Sequence, residues 1–356
     1  MVTQTADQQN PYQTLPERAF WRTGVVEQDF PKIDNVYVKK FDINPDDTII
    51  SAGSCFSQHI SKRLATSGFN YRDFEPVPAL LPKSLRNEYG YELFSARYGN
   101  IYTVVQLKQL FDRAFGYFEP TERYWEEGGR YFDPFRPTVE PAGFASLDEF
   151  DAMQDYHFAC VRQMFSEFDV MIFTMGLTEA WTNKEDGAVY PMCPGTAAGT
   201  FDDSKYVLKN FSFLEIYEAF TDLVANIRKI NPDVKFIVTV SPVPLTATAS
   251  ASHALVANTY TKSTLRSVAG ELAANDPLID YFPSYEMVAT HAMKGIYYDD
   301  NQRTITTAGV DCVMEMFFAE HRPLVAAARQ TLGEEPAPVD DDPWCDEEML
   351  ETELVR

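Results

Sequence analysis

Two short runs of continuous apolar residues constrain the fold of this chain more than any other feature. FDVMIFTMG occupies residues 168–176, and VKFIVTVSP occupies residues 234–242. Neither run alternates between apolar and polar residues, which is typical of strands buried on both faces of a parallel sheet. Helical patterns precede, separate and follow the runs, near residues 147–166, 213–230, 254–274 and 307–320. The alternation predicts a three-layer α/β/α sandwich with a mainly parallel central sheet.

An earlier strand runs directly into two adjacent side chains that can act as nucleophiles. DTIISAG, at residues 47–53, ends in Gly53 and is followed by Ser54 and Cys55, and a helical pattern begins there. At a helix start, unpaired N–H groups and the helix dipole stabilise a thiolate or an oxyanion. Cys55 or Ser54 is therefore a candidate nucleophile. The alternative is that Ser54 caps the helix and Cys55 is a small buried hydrophobe.

Polar and small residues follow the other predicted strands as well. In open α/β sheets, ligands bind beyond the carboxyl ends of the strands, so one cleft could gather these residues. They are Gly176, Thr178 and Glu179 after the first apolar run, His253 in the loop after the second, Tyr285 after a short strand near 278–282, and Arg303 near the last helix.

The chain divides into three predicted regions. An irregular N-terminal arm spans residues 1–45, and a single α/β domain spans residues 46–332. A proline-punctuated, loop-rich stretch at about residues 70–145 is interpreted as an insertion into that domain. Residues 333–356 hold ten acidic side chains against one base, and we predict a flexible acidic tail there.

The charge of the chain argues against several classes of partner. The formal net charge is −23, so phosphate backbones and anionic lipid surfaces are repelled. We therefore expect neither nucleic-acid binding nor membrane binding. No apolar run reaches the roughly 18–20 residues that a spanning helix needs, and the N-terminus lacks a signal-peptide pattern. The cytoplasm is the predicted location.

Neither a metal site nor a cofactor is predicted. The five cysteines are scattered and contain no Cys-x-x-Cys pair, and the five histidines show no spacing typical of metal ligands. The composition gives no indication of the oligomeric state.

Several stretches of the sequence resemble one protein family. SAGSCFSQHISKRL resembles the signature of the GSCFA-domain proteins, which are related to the SGNH/GDSL hydrolase superfamily. Further similar stretches, in order along roughly residues 40–320, are RYGNIYTVVQLKQLFDRAFG, DPFRP, FTMGLTEAW, VSPVPLTAT, YTKSTLR and YFPSYE. The resemblance implies an SGNH-like fold and chemistry on acyl esters.

The superfamily's motifs transfer unevenly to this chain. Its Gly-Asp-Ser block corresponds to Gly53-Ser54-Cys55, which implies Cys55 as the nucleophile. Its Gly-x-Asn-Asp block corresponds to the residues from Gly176 to Glu179, so Thr178 takes the place of the oxyanion-stabilising asparagine. The glycine of its second block corresponds to Gly99, with Asn100 as an alternative donor.

The final Asp-x-x-His block is the main departure, because Thr304 stands where the resemblance implies a histidine. His253 is the first substitute for the general base, and His291 and His59 are the others. Arg303 could hold an anionic substrate group or form a surface pair with Asp299 or Asp300. Glu179 could act as an acid or base, or serve as a structural hydrogen-bond partner.

Three hypotheses follow for the activity. The first is an ester hydrolase or acyltransferase that uses Cys55 or Ser54 on a small-molecule or carbohydrate acyl ester. The second is a catalytically degenerate module that binds a carbohydrate or an acylated ligand. A third, less conventional chemistry would use Glu179 and Arg303 around the thiol.

Overall fold

The computed structural model describes residues 10–321 and 349–350. In this part of the chain the strands are β1 Ile49–Gly53, β2 Trp125–Glu127, β3 Arg130–Phe132, β4 Val170–Met175, β5 Glu179–Asn183, β6 Val189–Tyr190, β7 Tyr206–Asn210, β8 Lys235–Val240 and β9 Ile279–Tyr281. Four of them form a parallel sheet in the order β1-β4-β8-β9. The two apolar runs of the sequence are the two central strands, as predicted.

Helices cover both faces of this sheet. Their bounds in the described residues are α1 Cys55–Ser67, α2 Val104–Ala114, α3 Leu147–Glu167, α4 Phe213–Ile230, α5 Ala254–Asn275, α6 Ser284–Ala289 and α7 Thr307–Glu320. The starts of α2 and α4 are set by capping boxes, in which Thr103 pairs with Gln106 and Ser212 with Glu215. Within the described ranges, no helix has the length and apolar character needed to cross a membrane.

The period-two alternation of β4 separates two cores. Met171 and Phe173 face a core shared with α2, α3, α4 and α5. Val170 and Ile172 face the opposite core, which α1, α6 and α7 cover. The predicted three-layer α/β/α sandwich is therefore confirmed, and the carboxyl ends of β1, β4 and β8 meet along one edge of the sheet.

Some elements of the fold were not predicted. An antiparallel sheet in the order β6-β5-β7 lies between β4 and α4 in the chain. The loop-rich stretch at residues 70–145 contains the β2–β3 hairpin, which was not predicted either. A helix was predicted in this stretch near residues 104–116, and it is α2, whose apolar face is part of the sheet's core. The division into domains stays a prediction.

The N-terminal arm packs against the α/β domain through Tyr37. In the N-terminal arm, Tyr37 is buried, and its hydroxyl lies 2.9 Å from both Asp280 Oδ2 and His321 Nε2. The described part of this arm is thereby anchored to β9 and to the end of α7. The predicted flexibility of residues 333–356 falls almost entirely outside the described residues.

Candidate functional site

The turn between β1 and α1 is a tight, buried connection. Gly53 has a φ of 151°, and a Cβ atom at this position would lie 2.6 Å from the carbonyl oxygen of Thr174. Only glycine lets the end of β1 approach β4 this closely. Ser54 follows in an extended conformation, and Cys55 opens α1. Both side chains are buried.

Hydrogen-bonding groups at the start of α1 have no partner within the helix. The side chain of Ser54 makes no capping hydrogen bond to the helix. Its Oγ is buried and has no hydrogen-bond partner among the described residues. The N–H of Phe56 belongs to the first helical turn, where N–H groups have no intrahelical acceptor. Because α1 has 13 residues, its dipole adds a positive potential at the same place.

The end of β4 packs directly against this turn. A Cβ atom on Gly176 would lie 2.9 Å from Ser54 Cβ, so the absence of a side chain makes room for the turn. The N–H groups of Gly176 and Leu177 both donate to the carbonyl of Tyr102, at 3.1 Å and 2.8 Å. These two backbone donors are thus engaged and do not form an oxyanion hole.

Residues 99–101 reach the same turn from the loop-rich stretch. Gly99 adopts a φ of 70°, and the N–H of Ile101 donates to the carbonyl of Gly53 at 2.8 Å. Asn100 is buried, and its Oδ1 accepts a hydrogen bond from Gln58 Nε2 at 3.0 Å. This bond holds the Asn100 carboxamide against α1. The segment that contains the predicted Gly99 and Asn100 therefore contacts the β1–α1 turn.

Helix α5 contributes two site residues that the sequence analysis did not single out. Lys262 is buried, and its Nζ donates to the carbonyl of Gly176 at 2.9 Å. The hydroxyl of Thr261 pairs with that of Thr178 at 2.9 Å. These two polar residues interrupt a buried helical face that includes Leu265 and Val268. A lysine on an apolar helical face was the signal that could have identified them.

The candidate histidines occupy different surroundings. His253 is exposed and is the N-cap of α5, where its Nδ1 accepts from the N–H of Leu255 at 3.1 Å. His291 stacks on Trp21, with ring centroids 5.5 Å apart. His59 is buried on α1, just over one turn after Cys55. Helical residues four apart lie on one face, and the later side chain leans toward the earlier one.

His59 is held in its neutral form by its environment. Burial, followed by the charges of Lys62 and Arg63, lowers the pKa of His59 from 6.5 to about 4. Its Nδ1 is buried and has no hydrogen-bond partner among the described residues. At neutral pH this imidazole is therefore uncharged.

The remaining predicted residues lie in other parts of the carboxyl edge. The carboxylate of Glu179 accepts from Thr248 Oγ1 at 2.8 Å and 2.9 Å, and burial raises its pKa. Glu179 thus holds the loop after β8. Tyr285 is half-buried against the core of α2 to α5, and burial raises its pKa. The hydrogen bonds of Glu179 do not reach the turn.

Arg303 and Thr304 lie in a tight loop before α7. The side-chain oxygen of Asn301 accepts from the backbone N–H groups of both residues, each at 2.9 Å. Thr304 Oγ1 also accepts from Asn301 Nδ2 at 2.8 Å. The position that the resemblance assigns to a histidine is therefore occupied by a residue that stabilises its own loop.

Two solved structures are distantly similar to this chain. One similar crystal structure is that of a protein from Lactobacillus plantarum, with 17% identity and a TM-score of 0.26 over 44% of this chain and 69% of that one. Another is an acetyl xylan esterase from the rumen bacterium Butyrivibrio proteoclasticus, with 15% identity and a TM-score of 0.26 over 82% of this chain and 66% of that one. At these TM-scores neither likeness indicates what the chain does.

No curated protein matches the chain. The GSCFA family matches residues 48–317, a range that runs from the start of β1 into α7 and includes the β1–α1 turn. The chain belongs to the GSCFA family.

Proposed function

We propose that this protein is an ester hydrolase or acyltransferase that uses Cys55 as its nucleophile. The observation that carries the proposal is the buried Gly53-Ser54-Cys55 turn, which sits at the carboxyl edge of the parallel sheet and opens a 13-residue helix. The unpartnered Ser54 Oγ is a second, independent indication of a ligand at this helix start. We propose an acyl ester of a carbohydrate or another small polar alcohol as the substrate.

The proposed reaction proceeds through a thioester. The Cys55 thiol transfers its proton to a histidine, and the thiolate attacks the ester carbonyl carbon to form a C–S bond. The N–H of Phe56 and the Asn100 amide stabilise the oxyanion. The intermediate then collapses, and the alkoxide leaves with the proton from the histidine. Water or a second hydroxyl attacks the thioester, which releases the acid or a new ester and restores the thiol.

His59 is the histidine that we propose as the base. Its position four residues after Cys55 and its unpartnered Nδ1 support this role. His253 was the first candidate from the sequence, but its exposure and its capping bond to Leu255 favour a structural role at the start of α5. Ser54 is proposed as a supporting donor at the turn rather than as the attacking group.

Other features of the proposal rest on the sequence. Arg303 stays a candidate for holding an anionic substrate group, and Glu179 is proposed to position the loop after β8. We also propose that the protein acts in the cytoplasm and that the acyl group passes to water or to a polar acceptor.

Substitution of the two nucleophile candidates tests the proposal. Turnover of short-chain nitrophenyl esters and of acetylated sugars would be measured for the wild type, Cys55→Ala and Ser54→Ala. Cys312→Ala is the matched control, because Cys312 is a partly exposed thiol on α7. We expect Cys55→Ala to lose turnover, Ser54→Ala to be weakened and the control to keep full activity. Full turnover in both Cys55→Ala and Ser54→Ala would refute the proposal.

A second candidate function is a binding module without chemistry. It is favoured by Thr304, which occupies the place of the expected histidine, and by the exposure of His253. This alternative predicts that acetylated oligosaccharides bind in calorimetry while the wild type shows no turnover. Binding that persists unchanged in Cys55→Ala, without release of acid from the wild type, would favour it.

A further inference from the structure

Lys262 is one of the few charged side chains of the described residues that are almost completely buried. Only 1% of its surface is exposed. Removing an ammonium group from water costs several kcal/mol, which the protein must offset with contacts or use for a function. A lysine is therefore expected at such a depth only where its charge is needed or is well compensated.

A continuous row of contacts joins Lys262 to the nucleophile turn. Its Nζ donates to the carbonyl of Gly176, and the Cα of Gly176 lies against the side chain of Ser54. A Cβ atom at Gly176 would lie only 3.3 Å from Ser54 Oγ. One residue, Gly176, thus separates the ammonium group of Lys262 from the side chain of Ser54 in the proposed reacting centre.

The peptide between Gly176 and Leu177 is fixed on both sides. Its carbonyl accepts from Lys262 at 2.9 Å, and its N–H donates to the carbonyl of Tyr102 at 2.8 Å. The adjacent residue of α5, Thr261, is bonded to Thr178. These contacts hold the ammonium at one place relative to the turn, as electrostatic stabilisation without reorganisation requires.

The charge of the rest of the protein makes a local cation useful. The formal net charge is −23, and such a field opposes the formation of a further anion. A thiolate and a tetrahedral oxyanion both require positive potential nearby. The start of α1 supplies part of it, and Lys262 is placed to supply more.

We propose that Lys262 is a positioning residue of the site, whose buried ammonium stabilises the Cys55 thiolate and the oxyanion that forms on the substrate. This inference rests on the proposed function.

Two neutral substitutions separate the charge of Lys262 from its hydrogen bond. Lys262→Met removes both the charge and the donor, whereas Lys262→Gln removes the charge and keeps an N–H donor for the carbonyl of Gly176. Lys235→Met is the control. Lys235 lies at the amino end of β8, away from the carboxyl edge that holds the site, and it contacts Asp47. The primary readout is the pH dependence of Cys55 alkylation by iodoacetamide, followed by mass spectrometry of the Cys55 peptide.

Loss of a nearby opposite charge raises the apparent pKa of an anionic group by about 1–3 units. We therefore expect the alkylation midpoint to rise by about one pH unit in both Lys262→Met and Lys262→Gln, which is roughly a tenfold loss of rate below the midpoint. The control should not shift. For ester turnover we expect kcat to fall in both variants with KM nearly unchanged. Melting temperatures of the variants identify any loss of folding.

The outcomes distinguish this inference from the proposed function. A midpoint that stays at the wild-type value in a folded Lys262→Gln would overturn the role of the charge, since the hydrogen bond would then suffice. The role of the charge would also be overturned if the alkylation midpoints of the Lys262 variants equal that of Lys235→Met. If wild-type Cys55 is alkylated with no raised reactivity and esters are not turned over, the proposed function itself fails.

Discussion

Glu75 should be one of the costliest residues to neutralise in this protein, because it belongs to a buried charge cluster behind the site. Its Oε2 lies 2.6 Å from His157 Nδ1 and accepts from the N–H of Arg97 at 2.8 Å. Arg136 donates to the carbonyl of Arg97 at 3.0 Å. The backbone of Arg97 is thereby held on both sides, three residues before Asn100.

The protonation states in this cluster follow from burial and from charge. Burial opposes ionisation of Glu75, but the contacts with His157, and then with Arg136, outweigh it and lower the pKa of Glu75 to about 2. Burial, reinforced by Arg136, lowers the pKa of His157. At neutral pH Glu75 is therefore ionised, and its carboxylate accepts a hydrogen bond from His157 Nδ1.

Glu75→Gln keeps the shape of the side chain and removes its charge. The nearest contact between Glu75 Oε1 and Arg136 is 3.9 Å, which at an effective dielectric constant of about 20 corresponds to roughly 4 kcal/mol of attraction. Part of this lost attraction is offset, because burying the neutral amide of glutamine costs less than burying the carboxylate of glutamate. We expect a loss of about 3 kcal/mol, the lower end of the cost of removing one partner from a buried ion pair.

The assay is urea unfolding followed by circular dichroism, with the free energies compared at a common m-value. Glu92→Gln is the control, because Glu92 pairs with Arg86 at the surface, and its loss should be below about 1 kcal/mol. If Glu75→Gln is no less stable than this control, the reasoning about the buried cluster is wrong.

Three further predictions concern the site and its pH dependence. His59→Gln should lower kcat for esters by at least about tenfold, as loss of a general base does, whereas His253→Gln should leave it nearly unchanged; the reverse order would favour His253. Gly176→Ala forces a Cβ to 2.9 Å from Ser54 Cβ, so kcat should fall, while Gly270→Ala in α5 should not reduce it. The unfolding free energy should fall as the pH drops from 6.5 to 4, because the unfolded chain protonates His59 and His321 while their folded pKa values are about 4. Each histidine accounts for roughly 3 kcal/mol across that window, and urea unfolding that is flat with pH would contradict this.

The central sheet was predictable because its sequence signals are local. The two apolar runs at 168–176 and 234–242 have the length and composition of strands buried on both faces, and both are strands of the parallel sheet. By contrast, β5 and β7 have five residues each and carry polar side chains. Their pairing depends on each other rather than on a periodic pattern, so they were missed.

The site was predictable only in its local half. Glycine followed by serine and cysteine at a strand end identifies the turn without any other part of the chain. Lys262 and Gly176, however, are 86 residues apart, and Asn100 and Gln58 are 42 apart. No periodicity reveals such contacts. His253 illustrates the same limit. The sequence placed it in the loop after β8, but it did not reveal that the ring accepts a hydrogen bond from the N–H of Leu255.

Direct detection of an acyl-enzyme is the measurement that tests the central claim most sharply. The protein would be mixed with p-nitrophenyl acetate, quenched in acid within the burst of nitrophenol release, digested and analysed by mass spectrometry. We predict one acetyl group on the peptide that carries Cys55, as a thioester that hydroxylamine removes, and none on that peptide in Cys55→Ala. Turnover by the wild type with no acetyl group on Cys55, or an unchanged adduct in Cys55→Ala, would contradict the assignment of Cys55 as the nucleophile.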